Sequence, residues 1–211
     1  MEHSDDSAIG ALLRSRAFSV ILLLFITTTI SGVLSAQARP SPSSTSIDTE
    51  HSTMTVHVYR SGLFSFAGDN HEIQAPIASG ALNEAERTVE LRVDVRQMRV
   101  LDPNLSADKR SQVQGKMLSP DVLDPERYPE ITFRSTGVDE KNSNLSVRGN
   151  LMLHGQTRPI NVSVTRTQSH YRGSATVKQT DFGIKPISIA GGTIKVKDEV
   201  GIDFDIVTHQ P

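Results

Sequence analysis

The stretch Val89-Glu-Leu-Arg-Val-Asp-Val-Arg96 decides the fold. Val89, Leu91, Val93 and Val95 take every second position, and Glu90, Arg92, Asp94 and Arg96 fill the positions between them. Side chains alternate faces along a strand, so this spacing sets a dry face against a wet one. The same period recurs on both sides of it. Leu145, Val147, Leu151 and Leu153 alternate with Ser146, Arg148 and Asn150; Ile160, Val162 and Val164 alternate with Asn161, Ser163 and Thr165. Near the end, Val200, Ile202, Phe204 and Ile206 stand against Asp203 and Asp205. Further strands are expected over Met54 to Tyr59, Ile73 to Ser79, Ile131 to Val138 and Ser174 to Thr180, with turns at Lys141-Asn-Ser-Asn144 and His170-Tyr-Arg-Gly173, where Asn and Gly tolerate positive φ.

One segment departs from the strand period. Ser106 to Leu118 consists mainly of good helix formers, with Ser106 placed to cap the first turn and Val113 and Met117 on one side. Ser119-Pro120, Asp124-Pro125 and Tyr128-Pro129 follow, and proline restricts both itself and its predecessor, so a loop should return the chain to the sheet. About eight strands with one wet face form either a two-sheet sandwich or a closed antiparallel barrel. Periodicity does not separate the two, although a closed barrel removes exposed edges and leaves a lumen for side chains or a ligand.

Composition narrows the function. The 211 residues suit one large β domain, and 36% hydrophobic content excludes a chain that cannot collapse. A formal net charge of −2 gives no field that would gather nucleic acid. The absence of cysteine removes disulfides, thiolate nucleophiles and thiolate metal sites, and the absence of tryptophan leaves a mainly aliphatic core. Residues 1–38 read as a signal peptide: the uncharged run from Ala17 to Leu34 follows Arg14 and Arg16 and leads to Ala36-Gln-Ala38, a small-residue pattern that suits cleavage. Uncleaved, the same run is long enough to act as a membrane anchor. Either way the domain is expected across the membrane, in the periplasm or secreted. The Pro/Ser-rich residues 39–46 read as a flexible linker, and residues 47–211 as the domain.

Four ordered stretches carry a family resemblance. They are Ile47-Asp-x-x-His51-Ser52 with Phe64-Ser-Phe66-Ala-Gly68; Tyr128-Pro-Glu-Ile-Thr-Phe-Arg-Ser135; Gly149-Asn-Leu-Met-Leu-His-Gly-Gln-Thr-Arg-Pro159-Ile160; and Asp181-Phe-Gly-Ile184. Together they resemble the YceI family of polyisoprenoid-binding proteins. The resemblance implies an all-β, lipocalin-like antiparallel barrel with a helix over one end, holding an isoprenoid or other long-chain lipid, with membrane contact for cargo exchange. Such a protein is a carrier and not an enzyme, and it needs no cofactor.

The expected lumen wall is Leu91, Val93, Val95, Phe133, Leu151, Leu153, Ile202 and Phe204, with Phe64 and Phe66 added from the family-like opening. Each buried CH₂ contributes ~0.8 kcal/mol, so such a wall holds a tail without a polar anchor. The competing reading is a dry core of interlocked side chains, which makes the protein a solid-cored partner-binding or stress-protective module. A third is a metal- or His-dependent hydrolase centred on His71, which has Asp69, Asn70 and Glu72 beside it. No metal site is expected, because strand alternation separates His71 from Glu72 and no histidine pair stands nearby. His154, at a strand end before Gly155, is expected to tie turn backbone. Asp102, Asp121, Asp124, Glu126 and Glu130 read as solvated charges, and Lys109, Arg110 and Lys116 as helix cations facing a head group or solvent.

Overall fold

The computed structural model describes residues 44–61, 70–189 and 194–209. The expected signal segment, most of the expected linker, and Phe64 and Phe66 lie outside them. In chain order the elements are β1 (Thr45–Ser61), β2 (His71–Gln74), β3 (Ile77–Asn83), β4 (Thr88–Asp94), β5 (Arg99–Val100), α1 (Ala107–Met117), β6 (Glu130–Lys141), β7 (Asn144–Leu153), β8 (Gln156–Thr167), β9 (His170–Lys178), β10 (Ser188–Ile189) and β11 (Ile194–Thr208). All pairings are antiparallel. The order β1-β11-β9-β8-β7-β6-β4-β3 returns to β1, so eight strands close a barrel, and β2, β5 and β10 are short additions at its rim. Closure settles the choice between sandwich and barrel. It also leaves only short strands with unpaired edges.

The strand alternation translates directly into burial. Val93 is buried on β4, Val147 and Leu151 on β7, Val162 and Val164 on β8, and Val200 and Ile206 on β11, while Glu90, Arg92, Asn161, Ser163 and Asp203 face solvent. β2 and β3 together replace the single strand expected over Ile73 to Ser79, because Pro76 donates no ladder hydrogen bond. The alternation also stops two residues early in β4: Val95 lies in a 3₁₀ turn, Val95–Gln97, capped by the Asp94 carboxylate, which accepts from the Arg96 N–H at 2.9 Å.

α1 is the only α-helix among the described residues, and Ser106 caps it, its hydroxyl oxygen accepting from the Lys109 N–H. Gln114 binds the helix to the sheet rim as a strand would. Its Oε1 accepts from the Val100 N–H at 2.8 Å, and its Nε2 donates to the Met98 carbonyl at 2.9 Å. Val113, Met117, Leu118 and Leu123 then pack against Ile73, Ala75, Val93, Val95 and Met98, closing that end of the barrel with apolar side chains.

Two expectations are corrected. His170 to Gly173 is not a turn: the chain reverses at Gln168–Ser169, with Gln168 at φ 55°, and β9 begins at His170. Gly173 serves packing instead, because a methyl there would overlap the Ser163 carbonyl and come within 2.6 Å of the Phe204 ring. Asp102 and Asp124 are buried and not solvated. Asp102 is paired, as described below. Asp124 sits at φ 46° in a tight turn whose carbonyl accepts from the N–H groups of Arg127 and Tyr128 at 3.0 and 2.8 Å. Asp121 and Glu126 are exposed and Glu130 is half-buried; they pair with Lys116, Arg96 and Arg92 respectively.

Candidate functional site: an apolar lumen with one polar end

The inward faces of the strands enclose a cavity of about 440 Å³. That lies within the ~300–1,000 Å³ usual for small-molecule sites. Of the residues expected to form its wall, Leu91, Val93, Phe133 and Leu151 line it, and so do Leu153, Ile202 and Phe204. Val95 does not. At 1% exposure it is packed with Met98 and Val100 beneath α1, because the 3₁₀ turn rotates it away from the lumen.

Two glycines keep the lumen open by giving aromatic rings somewhere to lie. Phe133 covers Gly149 and Phe204 covers Gly173, so closely that a Cβ on either glycine would overlap its surroundings. The edge of each ring therefore takes the space that a side chain on the glycine would occupy.

The two ends of the cavity differ. At the α1 end the lining is Met98, Met117, Val122 and Leu123. At the opposite end several inward series run on to a polar group: Leu82 of β3 is followed by Glu84 in the turn, Val138 by Glu140 and Val164 by Arg166, and β9 begins its inward series with Tyr171. These converge. Glu84 Oε1 accepts from the Tyr171 hydroxyl at 2.7 Å and from Arg166 Nη2 at 2.8 Å, and the Arg166 guanidinium lies 5.6 Å over the Tyr171 ring. Tyr171 is only 7% exposed. Burial, helped by the bond to Glu84, pushes its hydroxyl up to about 12, so it stays a donor at neutral pH. Arg87, in the turn between β3 and β4, lines the same end and forms no hydrogen bond or ion pair with any described residue.

His71 stands apart from this site. Its Nδ1 lies 2.6 Å from buried Asp102 Oδ2, while Asp102 Oδ1 accepts from the Glu72 N–H at 2.8 Å. Arg110 donates to the Asp102 carbonyl at 3.3 Å, so the pair joins β2 to the loop that carries α1. Among the described residues no group of three or more His, Asp or Glu is arranged to hold a metal ion. His154 bridges two turns: its Nδ1 lies 3.2 Å from the Phe182 carbonyl, and its ring packs on Tyr128 with centroids 4.4 Å apart. Of the helix cations, Arg110 is tied to the Asp102 backbone and Lys116 to Asp121 at 2.6 Å, both at the apolar end.

The fold agrees with known proteins. A UPF0312 protein of Vibrio cholerae is 30% identical over 152 residues, covering 66% of this chain and 76% of its own. A UPF0312 protein of Shewanella putrefaciens is 27% identical over 152 residues, covering 66% and 75%. Among solved structures, Burkholderia cenocepacia BcnA matches with a TM-score of 0.55 at 17% identity, over 77% of this chain and 99% of that one, a likeness of fold alone. The family profile described as a YceI-like domain matches residues 46–208, from the second residue of β1 to the last of β11. Because that match takes in every strand of the closed barrel, the chain belongs to the YceI-like family.

Proposed function

We propose that this protein is exported and carries or stores a long isoprenoid-type lipid, with the tail in the barrel lumen. Family and fold support the coarser statement, a binding protein with a barrel cavity. The observation that carries the finer reading is the 440 Å³ cavity itself, walled by aliphatic and aromatic side chains from strand to strand. At ~0.8 kcal/mol per buried CH₂, one five-carbon unit contributes ~4 kcal/mol gross. Two or three units then offset the several kcal/mol lost on association. Export rests on the uncharged segment before Ala36-Gln-Ala38, and cleavage there gives a mature chain that starts at Arg39.

Organic extraction of the purified protein followed by mass spectrometry recovers a polyprenyl lipid or quinone on this reading. A preparation that is consistently empty, and that also rejects added polyprenols and quinones, refutes it. N-terminal sequencing of the protein from fractionated cells checks the export half separately.

A further inference from the structure

The geometry points to Glu84, Arg166 and Tyr171 as the site that holds the polar head of the cargo, an uncharged hydrogen-bonding group such as a hydroxyl or carbonyl, with the tail directed at α1. The inference rests on the lipid-binding reading and deepens it. A lipid in this lumen has two ways round, and the polarity of the wall decides between them. Gln179 is the exception to the one-sided lining, and its amide is already used, donating to the Lys197 carbonyl at 2.8 Å. The charged lining residues all lie at the end away from the helix, and burying an unpaired polar head among Met98, Met117, Val122 and Leu123 costs several kcal/mol.

Charge balance selects the head. Glu84 and Glu140 offset Arg87 and Arg166, so the mouth has no net formal charge. A phosphate gains two cations there but meets two carboxylates. An uncharged head meets donors on Arg87, Arg166 and Tyr171 and an acceptor on Glu84, whose Oε1 already accepts twice. Glu84, Arg166 and Tyr171 satisfy one another without cargo and keep further donors and lone pairs, so a hydroxyl or carbonyl adds one hydrogen bond to the set and leaves none unmade.

Farnesene, farnesol and farnesyl phosphate share one carbon skeleton and differ in the head. Their affinities for the purified full chain are measured by displacement of N-phenyl-1-naphthylamine. Farnesol is expected to bind roughly three- to tenfold tighter than farnesene, the worth of one net hydrogen bond, and farnesyl phosphate no tighter than farnesol. Tyr171→Phe and Arg166→Met should reduce the ratio of farnesol to farnesene affinity towards unity, and the near-isosteric Glu84→Gln guards against misfolding. Farnesene binding with no preference for farnesol overturns the head site alone, whereas failure of all three ligands overturns the lipid reading with it. A preference that survives all three substitutions, a phosphate that binds tightest, or equal loss of farnesene and farnesol in every variant also overturns the head site.

Discussion

Val93→Trp tests whether the lumen is the binding site. Val93 is 4% exposed, lies mid-strand on β4 and lines the cavity. The indole adds roughly seven non-hydrogen atoms, and at no more than the ~30 Å³ a water takes up in the liquid it fills at most ~200 Å³. The cavity holds about 440 Å³, so the ring fits without displacing the opposite wall. Stability should therefore fall by less than the ~1–3 kcal/mol typical of overpacking a filled core. Binding should suffer far more. Displacing one five-carbon unit of a tail forfeits ~4 kcal/mol gross, and at ~1.4 kcal/mol per decade that is nearly a thousandfold in affinity. The chain has no native tryptophan, so the new ring is also a clean probe, blue-shifted when buried. Urea unfolding of parent and variant followed by far-UV circular dichroism gives the stability change, and lipid displacement of N-phenyl-1-naphthylamine gives the affinity. A folded variant that binds lipid undiminished refutes the lumen as the site, and destabilisation well beyond ~3 kcal/mol refutes the free space.

Gly173→Ala is expected to cost ~1–3 kcal/mol in urea unfolding, because the methyl meets a backbone oxygen that cannot move aside, and to weaken lipid binding by pushing Phe204 inward. Asp198→Asn tests an acid-labile tie. Asp198 accepts from the Thr180 hydroxyl at 2.7 Å and from its N–H at 2.9 Å, and the hydroxyl bond above all holds the carboxyl below its usual range. A group depressed on folding stabilises above its unfolded value and loses that contribution as pH falls through its folded value, so the variant should be less stable than the parent at about pH 7 and equal to it at about pH 2. A constant difference across that range contradicts the assignment. Asp205 follows the same sign, since hydrogen bonds from Arg172 and His170 outweigh the burial that pulls it upward.

The strands and the helix were legible because both periods are strong. Val89 to Asp94 and Ile160 to Val164 show period two without interruption, and Ser106 marks the helix start with the atom that caps it. The polar end of the lumen was legible in principle and was missed for one physical reason. Gly173 reads as a turn residue, and assigning the turn there removes Tyr171 from a strand, although its inward spacing with Gly173, Ala175 and Val177 continues the ladder. The glycine is there because a ring lies on it, a long-range cause that no local pattern carries. Arg166 was hidden similarly: it continues the series Ile160, Val162, Val164, but a charged residue at an apolar phase reads as the end of a strand. The burial of Asp102 depends on His71, 31 residues away, and on Glu72, neither of which local charge patterning reveals.

The lumen is a property of the side chains chosen for its wall. The size of the side chains that face inward sets its volume of about 440 Å³. A larger side chain has room at the inward position of Ala175 on β9, yet alanine stands there. A barrel selected for stability alone would have filled it. Ala175→Leu makes the point measurable: Ala175 lines the cavity and is only partly buried, so a leucine extends into free space. Three added carbons at ~0.8 kcal/mol each should raise stability by up to ~2 kcal/mol, while the same atoms occupy volume the tail needs and weaken lipid binding. Higher stability with lower affinity is the signature of space kept for cargo. Lower stability with affinity unchanged would mean that the wall at β9 is already closely packed and that the tail, if bound, runs elsewhere.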